Sequence, residues 1–199
     1  GKSADRARDG AHYLRGSFAD GTLLGTDAGE ACRIDSIAQS FAVLCPEADA
    51  DFTRGALREA VKRLYDPEHG LVRLFEPPFD GKGPRPGYIE SYGPGFRENG
   101  GQYTHGAIWL AMACLKSGLT EEGAQLLCAL LPETHDPERY LAEPYVLPAD
   151  VYANPDHIGE AGWTWYTGSA GWFFRVALED LLGLRLRSGA LVIEPKPAP

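Results

Sequence analysis

Positive charge is scarce in this sequence: 19 lysines and arginines stand against 28 aspartates and glutamates, for a net charge of −9. That sign disfavours nucleic acid and anionic membrane surfaces as partners, because an acidic protein does not neutralise their phosphates. It leaves room for a locally basic pocket. No apolar run approaches the ~20 residues of a membrane span, so no membrane segment is expected in this stretch. The first ten residues are polar and charged, unlike a signal peptide. The expectation is a cytoplasmic location, either free or as part of a larger membrane-anchored protein. Cysteine is rare too. Cys32, Cys45, Cys114 and Cys128 form no C-x-x-C pair, and the last three lie in helical apolar patterns. Free core thiols in a reducing compartment are therefore expected rather than zinc or disulfides. His12, His69, His135 and His157 lack metal-ligand spacing, so no metal is expected. Neither a P-loop nor a dinucleotide-binding glycine signature occurs.

What is present suffices for one domain with a sizeable core: 199 residues, 44% of them hydrophobic. Residues 1–31 are polar, with turns at 19–22 and 26–29 around short extended pieces. Ile34, Ile37, Ala38, Phe41, Ala42 and Cys45 then repeat at helical spacing. Asp51 is placed to cap a second helix carrying Leu57, Ala60, Val61, Leu64 and Tyr65, which Asp66-Pro67 ends. Residues 66–102 form a long Gly/Pro-rich segment, the kind that is functional or disordered; Tyr88, Tyr92 and Phe96 argue for function. A helix from about Tyr103 to Lys116 is apolar nearly all round and therefore buried. Gly118 stops it and Thr120 caps the next. After a second long, aromatic-rich loop over 132–167, a fifth helix runs from Ser169 to Leu184. The tail from Leu184 to Ile193 reads as a short hairpin.

Antiparallel helices joined by short turns at one end and long loops at the other describe a toroid of helical hairpins. Five helices are too few for a closed ring. The expected fold class is all-α, the C-terminal half of an (α/α)6 toroid over residues 1–184, ending in a β segment over 185–199. Half a ring would leave an apolar edge exposed, and a homodimer is one way to cover it.

Two stretches carry the chemistry. Arg97-Glu98-Asn99-Gly100-Gly101-Gln102-Tyr103-Thr104-His105 and Gly162-Trp163-Thr164-Trp165-Tyr166-Thr167-Gly168-Ser169-Ala170-Gly171-Trp172 are both polar, glycine-containing loops that run straight into an apolar helix. A helix start presents unpaired N–H groups and the positive end of a dipole, and so suits an oxyanion. The tryptophans beside it suit a sugar.

These motifs resemble glycoside hydrolase family 94, the inverting glycoside phosphorylases. Arg33-Ile34-Asp35-Ser36-Ile37-Ala38-Gln39-Ser40, Glu143-Pro144-Tyr145-Val146 and Ala149-Asp150-Val151-Tyr152 fit the same family. The wording is closest to the phosphorylase-like domain at the C-terminus of cyclic β-1,2-glucan synthases, and the likeness runs from about His12 to Pro195. It implies a β-linked glucose oligosaccharide and phosphate as partners, with inorganic phosphate as co-substrate and no cofactor. In such a reaction phosphate is the nucleophile, so no carboxylate base is needed to activate water. The family's general acid is an aspartate in an Asp-Trp-Asn-Asp motif, which this sequence does not contain. The resemblance therefore implies no general acid here and no turnover by this chain alone.

Carried over residue by residue, the resemblance makes His105, Thr167 and Gly168 phosphate ligands. Ser169 is either a further donor or the helix cap. Arg97 either balances phosphate charge or pairs with Glu98, and Glu98 either accepts sugar hydroxyls or only that pair. Asn99 is expected to shape the turn. Glu90 and Tyr92 are candidates for the acceptor-sugar subsite or for loop packing. Glu143 and Asp150 are candidate sugar contacts, with Asp150 a disfavoured substitute acid. One of Trp163 and Trp165 is expected to line the pocket, Trp165 being the candidate carried forward; Trp172 reads as core. Asp35 and Gln39, one helical turn apart, are expected to be structural. Two other readings stay open: a non-catalytic carbohydrate- or anion-binding remnant, and an (α/α)6 hydrolase, which would need two carboxylates roughly 6.5–9.5 Å apart.

Overall fold

In a computed structural model, residues 7–165 and 167–195 are described. The chain opens on two tight antiparallel hairpins, β1 (Arg8–Asp9) with β2 (His12–Tyr13) and β3 (Gly16–Ser17) with β4 (Leu23–Leu24). Strand β5 (Ile34–Asp35) runs directly into helix α1 (Ser36–Ala42), and α2 (Ala50–Leu64) follows. A third hairpin pairs β6 (Tyr65–Asp66) with β7 (Leu71–Val72), after which β8 (Phe75–Glu76) turns back to pair with β5. The same device recurs. Strand β9 (Gln102–Tyr103) runs directly into α3 (Thr104–Lys116), then come α4 (Thr120–Ala129) and the one-turn α5 (Pro137–Tyr140), and β10 (Asp150–Val151) returns to β9. Helix α6 (Thr167–Val176) ends in a π-helical turn, Ala177–Leu181, and the hairpin β11 (Leu184–Arg187) with β12 (Ala190–Ile193) closes the described chain.

The all-α expectation is corrected here. Among the described residues there are six two-stranded antiparallel sheets threaded between the helices. Apart from the expected C-terminal hairpin, their strands are two residues long, too short for a period to register in sequence. Four of the sheets are local hairpins, and two, β5 with β8 and β9 with β10, join a helix entry to a distant loop segment and so satisfy backbone groups there. Ile34, read as helical, lies in β5, and Asp35 is the N-cap: one carboxylate oxygen accepts from the Ile37 N–H at 2.7 Å. Asp49, not Asp51, caps α2, accepting from the Phe52 N–H at 2.8 Å. Thr120 is the first residue of α4 and makes no capping bond. Cys32 and Cys114 are buried, but Cys45 and Cys128 are exposed, so only half of the thiols belong to the interior.

Helix α3 is the axis of the core. Ile108, Leu110, Ala111, Ala113, Cys114 and Leu115 have no solvent exposure, because α1, α4 and α6 all pack on it. Leu57 and Leu64 from α2, Val72 from β7 and Leu126 and Leu130 from α4 complete the cluster. Each such side chain contributes about 1.5–3 kcal/mol by leaving water. Gly123 lets α4 approach closely, since a Cβ there would meet Leu115 Cγ at 2.6 Å. Gln39 is structural as expected: its amide accepts from the Tyr13 N–H and donates to the Tyr13 carbonyl, each at 2.8 Å, which fastens β2 to α1.

Candidate functional site

The start of α3 is fixed from three directions. The Gln102 side chain accepts from the Val72 N–H at 2.8 Å, Tyr103 pairs with Asp150, and the Thr104 N–H donates to the Ala149 carbonyl at 3.0 Å. Ahead of it the two glycines of the 97–101 turn leave no room for a side chain. A Cβ on Gly101 would lie 2.9 Å from the Arg97 and Gly95 carbonyl oxygens, and one on Gly100, at φ +80°, would lie 2.8 Å from Pro78 Cβ. Asn99 is buried and ties the turn together, accepting from the Phe79 N–H and donating to the Phe79 and Tyr92 carbonyls at 2.8–2.9 Å. Its expected turn-shaping role is what the geometry gives.

His105 therefore sits on the first turn of α3 with little freedom. Its ring lies 4.7 Å from the Trp109 ring and 6.1 Å from the Trp172 ring. Those two indoles meet edge-on at 5.9 Å. Burial pushes the His105 pKa below its ordinary value, which favours the neutral ring. Its Nε2 is buried and has no hydrogen-bond partner. The start of α6 comes to the same place: a Cβ on Gly168 would lie 3.6 Å from His105 Cε1. Ser169 is buried in that first turn. Thr167 opens α6, but its side chain lies outside the described residues. The starts of two helices, each with a positive dipole end, thus lie beside the same imidazole, whose Nε2 is unused. Thr104 Oγ1, also buried, has no partner either.

A second group lies beside the first. Arg97 adopts φ +47°, uncommon for a residue with a side chain and of the kind that clusters at functional sites. Its guanidinium carbon stands 4.8 Å from the Trp163 ring centre and 5.6 Å from that of Tyr92. Asp150, fully buried, is 3.6 Å from Arg97 Nη1, and Glu98 is 3.7 Å from Arg97 Nε. These are ion-pair distances without hydrogen bonds: Arg97 Nη1, Glu98 Oε2 and Asp150 Oδ2 all lack hydrogen-bond partners. Burial raises the Asp150 pKa, against the opposing pull of the Trp163 N–H and Arg97. Gly162 is required there, because any Cβ would collide with the Asp150 carboxylate.

The remaining candidates lie further out. Glu143 accepts from the Trp165 indole N–H at 2.9 Å, with Tyr145 edge-on to Trp165 at 6.3 Å. Glu90 is engaged by Arg85 at 3.0 Å, and Tyr92 meets Tyr88 edge-on. The expected site residues thus fall into a group at the starts of α3 and α6 (His105, Gly168, Ser169), a charged group (Arg97, Glu98, Asp150, Tyr92) and the outer residues Glu90, Glu143 and Trp165.

Sequence reading missed Trp109 as a site residue, although it is one helical turn after His105. It also missed Arg15. Both line a cavity of about 500 Å³ together with Asp35, Tyr88, Glu98 and Tyr103. Among the described residues no group of three His, Cys, Asp or Glu side chains could hold a metal ion, and no helix is long and apolar enough to cross a membrane.

Residues 2–183 match the model of the glycosyl hydrolase 94 superfamily catalytic domain. The chain is 45% identical over 192 residues to the cyclic beta-(1,2)-glucan synthase NdvB of Rhizobium meliloti, covering 94% of this chain and 7% of that protein. It is 30% identical over 191 residues to a 3-O-beta-D-glucopyranosyl-beta-D-glucuronide phosphorylase of Paenibacillus borealis, and 27% identical over 191 residues to an N,N'-diacetylchitobiose phosphorylase of Vibrio proteolyticus. Both alignments cover 94% of this chain and 24% of the relative, so the sequence spans a minor part of each protein it matches. With these matches, and with two glycine-containing helix entries meeting at a histidine, the chain belongs to the glycosyl hydrolase 94 superfamily, within its catalytic domain.

Proposed function

We propose that this chain supplies the phosphate-binding face, and part of the sugar-binding face, of an inverting glycoside phosphorylase-type site that acts on β-linked glucose oligosaccharides. The observation that carries the proposal is the meeting of the α3 and α6 starts at His105, whose buried Nε2 has no partner. A phosphate dianion held there would take hydrogen bonds from the imidazole N–H, from backbone N–H groups of the first turn of α6, and from the Thr167 and Ser169 hydroxyls. Both helix dipoles favour its charge. Phosphate then attacks the anomeric carbon, and the protein's work on this side is to aim the nucleophile and balance its charge. Arg97, pinned by Trp163 and Asp150, brings a fixed positive charge to the neighbouring wall. Glu98, Tyr92 and Glu90 on one side, and Glu143 with Trp165 on the other, are the proposed sugar contacts.

In this reading the leaving oxygen is protonated by an aspartate of the family's Asp-Trp-Asn-Asp motif, which this sequence does not contain. Asp150 does not take that role. It is fully buried, and its carboxylate is spent on Arg97 and on the Trp163 N–H. The similarity to a cyclic β-1,2-glucan synthase favours β-1,2-linked glucan as the substrate. The test is release of glucose 1-phosphate from β-1,2-glucooligosaccharides with and without phosphate, by the chain alone and by the chain joined to a family segment carrying Asp-Trp-Asn-Asp. Phosphate binding without turnover by the chain alone, and phosphate-dependent release by the joined protein, are expected. Cleavage that continues without phosphate would overturn the reading in favour of hydrolysis.

A further inference from the structure

Helices α3 and α6 meet at both ends. At the site, the start of α6 lies against the His105 ring, a Cβ on Gly168 coming 3.6 Å from His105 Cε1. One turn on, Trp109 of α3 meets Trp172 of α6 edge-on at 5.9 Å. At the opposite end Lys116, the last residue of α3, donates through Nζ to Asp180 Oδ1 at 2.9 Å. Arg185 Nη2 donates to the same oxygen at 3.0 Å. The two helices therefore run parallel, pinned at the far end by an aspartate that the phosphate chemistry does not use. The Asp180 side chain is only 3% exposed, against 34% for Lys116 and 20% for Arg185.

The spacing of these contacts shows what the pin withstands. His105 and Gly168, like Trp109 and Trp172, stand 63 positions apart in the sequence, whereas Lys116 and Asp180 stand 64 apart. Between its second and third contacts α6 thus carries one residue more than α3. The surplus falls in the π-helical turn Ala177–Leu181, where the Leu182 N–H donates to the carbonyl of Ala177, five residues back, at 2.9 Å. In a regular α-helix that residue would add about 1.5 Å of length and turn Asp180 about 100° away from α3. The wider π turn absorbs it and keeps Asp180 on Lys116. Such turns are rare and recur at functional sites.

We infer that Asp180 is a positioning residue for the His105 site. Through Lys116 it holds α6 in axial register with α3, so that the first turn of α6 stays against the imidazole at the other end. Neutralising Asp180 leaves Lys116 and Arg185 as neighbouring cations with no charge between them. The π turn is then free to relax, and α6 to slide along α3. A displacement of about 1 Å at Gly168 is enough to misplace donors aimed at an oxyanion. That the oxyanion is phosphate rests on the phosphorylase reading above, while the register lock does not.

The test compares the parent with Asp180→Asn, Lys116→Gln and Lys116→Arg, and with Leu126→Ala as a variant weakened in the core but with the lock intact. Phosphate affinity is read by phosphorus NMR, and the contact between the two helix starts by the Overhauser effect from the His105 Cε1 proton to the Gly168 α-protons. Asp180→Asn should weaken phosphate binding about tenfold, the effect of losing one hydrogen bond to a charged group, and should weaken the Overhauser effect. Lys116→Gln leaves Arg185 on Asp180 and should do the same to a lesser degree; it carries the test if Asp180→Asn does not fold. Lys116→Arg should behave as the parent, and Leu126→Ala should change neither reading. Parental phosphate affinity or a parental Overhauser effect in the folded lock variants, or an equal loss in Leu126→Ala, would overturn the inference. A parent that binds no phosphate, but whose His105–Gly168 contact still depends on Asp180, would instead sink the phosphorylase reading and leave the register lock standing.

Discussion

Replacing His105 with alanine should weaken phosphate binding strongly while hardly touching the fold. The imidazole Nε2 is buried and makes no hydrogen bond. Deleting it removes a desolvation penalty, and deleting the ring removes packing against Trp109 and Trp172. These effects oppose, so the stability of the phosphate-free protein should move by no more than about 1 kcal/mol. In the complex the same nitrogen donates to a charged oxygen, which is worth about 1.5–3 kcal/mol, or roughly ten- to 150-fold in dissociation constant. His105→Gln keeps a donor and should lose less. The pH dependence separates this from a packing effect. Burial holds the ring's pKa below 6.5, so the unfolded chain binds its proton first on acidification. The stability contributed by the neutral ring is thus complete above 6.5 and is lost as pH falls through the lowered folded value; His105→Gln should abolish that part of the profile. Bound phosphate favours the imidazolium, so the protons exchanged on binding, measured by calorimetry in buffers of different ionisation enthalpy, should differ between the parent and His105→Gln. Unchanged phosphate affinity in His105→Ala would refute the assignment, and so would a large loss of stability without phosphate.

Other outcomes follow from the same geometry. Gly162→Ala forces a methyl group into the Asp150 carboxylate and should cost about 1–3 kcal/mol in urea unfolding, with Arg97 displaced and sugar affinity reduced. Asn99→Ala strands the Phe79 N–H and two carbonyls, and should cost about 3 kcal/mol and raise hydrogen exchange across the 97–101 turn; exchange unaltered there would contradict its bracing role. Arg97→Lys keeps the charge but not the flat face over Trp163 and Tyr92, so KM for the oligosaccharide should rise more than kcat falls in a turnover-competent form. Leu126→Ala, in the α3–α4 interface, should lower stability by about 2–5 kcal/mol without altering phosphate affinity.

The helix-rich part of the molecule was legible because its apolar spacing is local. Ile108, Leu110 and Leu115 announce a buried helix, and α3 starts one residue from where they place it. Hidden from such reading were structures that depend on distant partners. Ile34 is spaced like a helical residue, yet it pairs with Glu76 in a strand, and only the 75–76 segment could reveal that. Tyr103 likewise takes its partner from Asp150. At the site, the two motifs read in the sequence bring His105 and Gly168 side by side, and Arg97, Glu98 and Asp150 form an ion-paired group whose Nη1, Oε2 and Oδ2 atoms make no hydrogen bond. Glu90 and Glu143 are conspicuous as carboxylates in long loops, but their engagement by Arg85 and Trp165 depends on how those loops fold and is not legible in the sequence. Arg15 escaped notice because it reaches its cavity only through a hairpin fold of the N-terminal segment.

The two strand pairs at the helix entries, β5 with β8 and β9 with β10, act as fixed clips on chains that otherwise wander. Between these clips the stretches 80–88 and 141–147 contain no buried residue. Residues can be inserted or deleted there at small entropic cost, because closing a longer loop between anchored ends grows only logarithmically harder. The first turns of α1 and α3 would not move. One part of the molecule can thus drift toward new ligands while the other stays in register, and selection on recognition need not disturb reactivity.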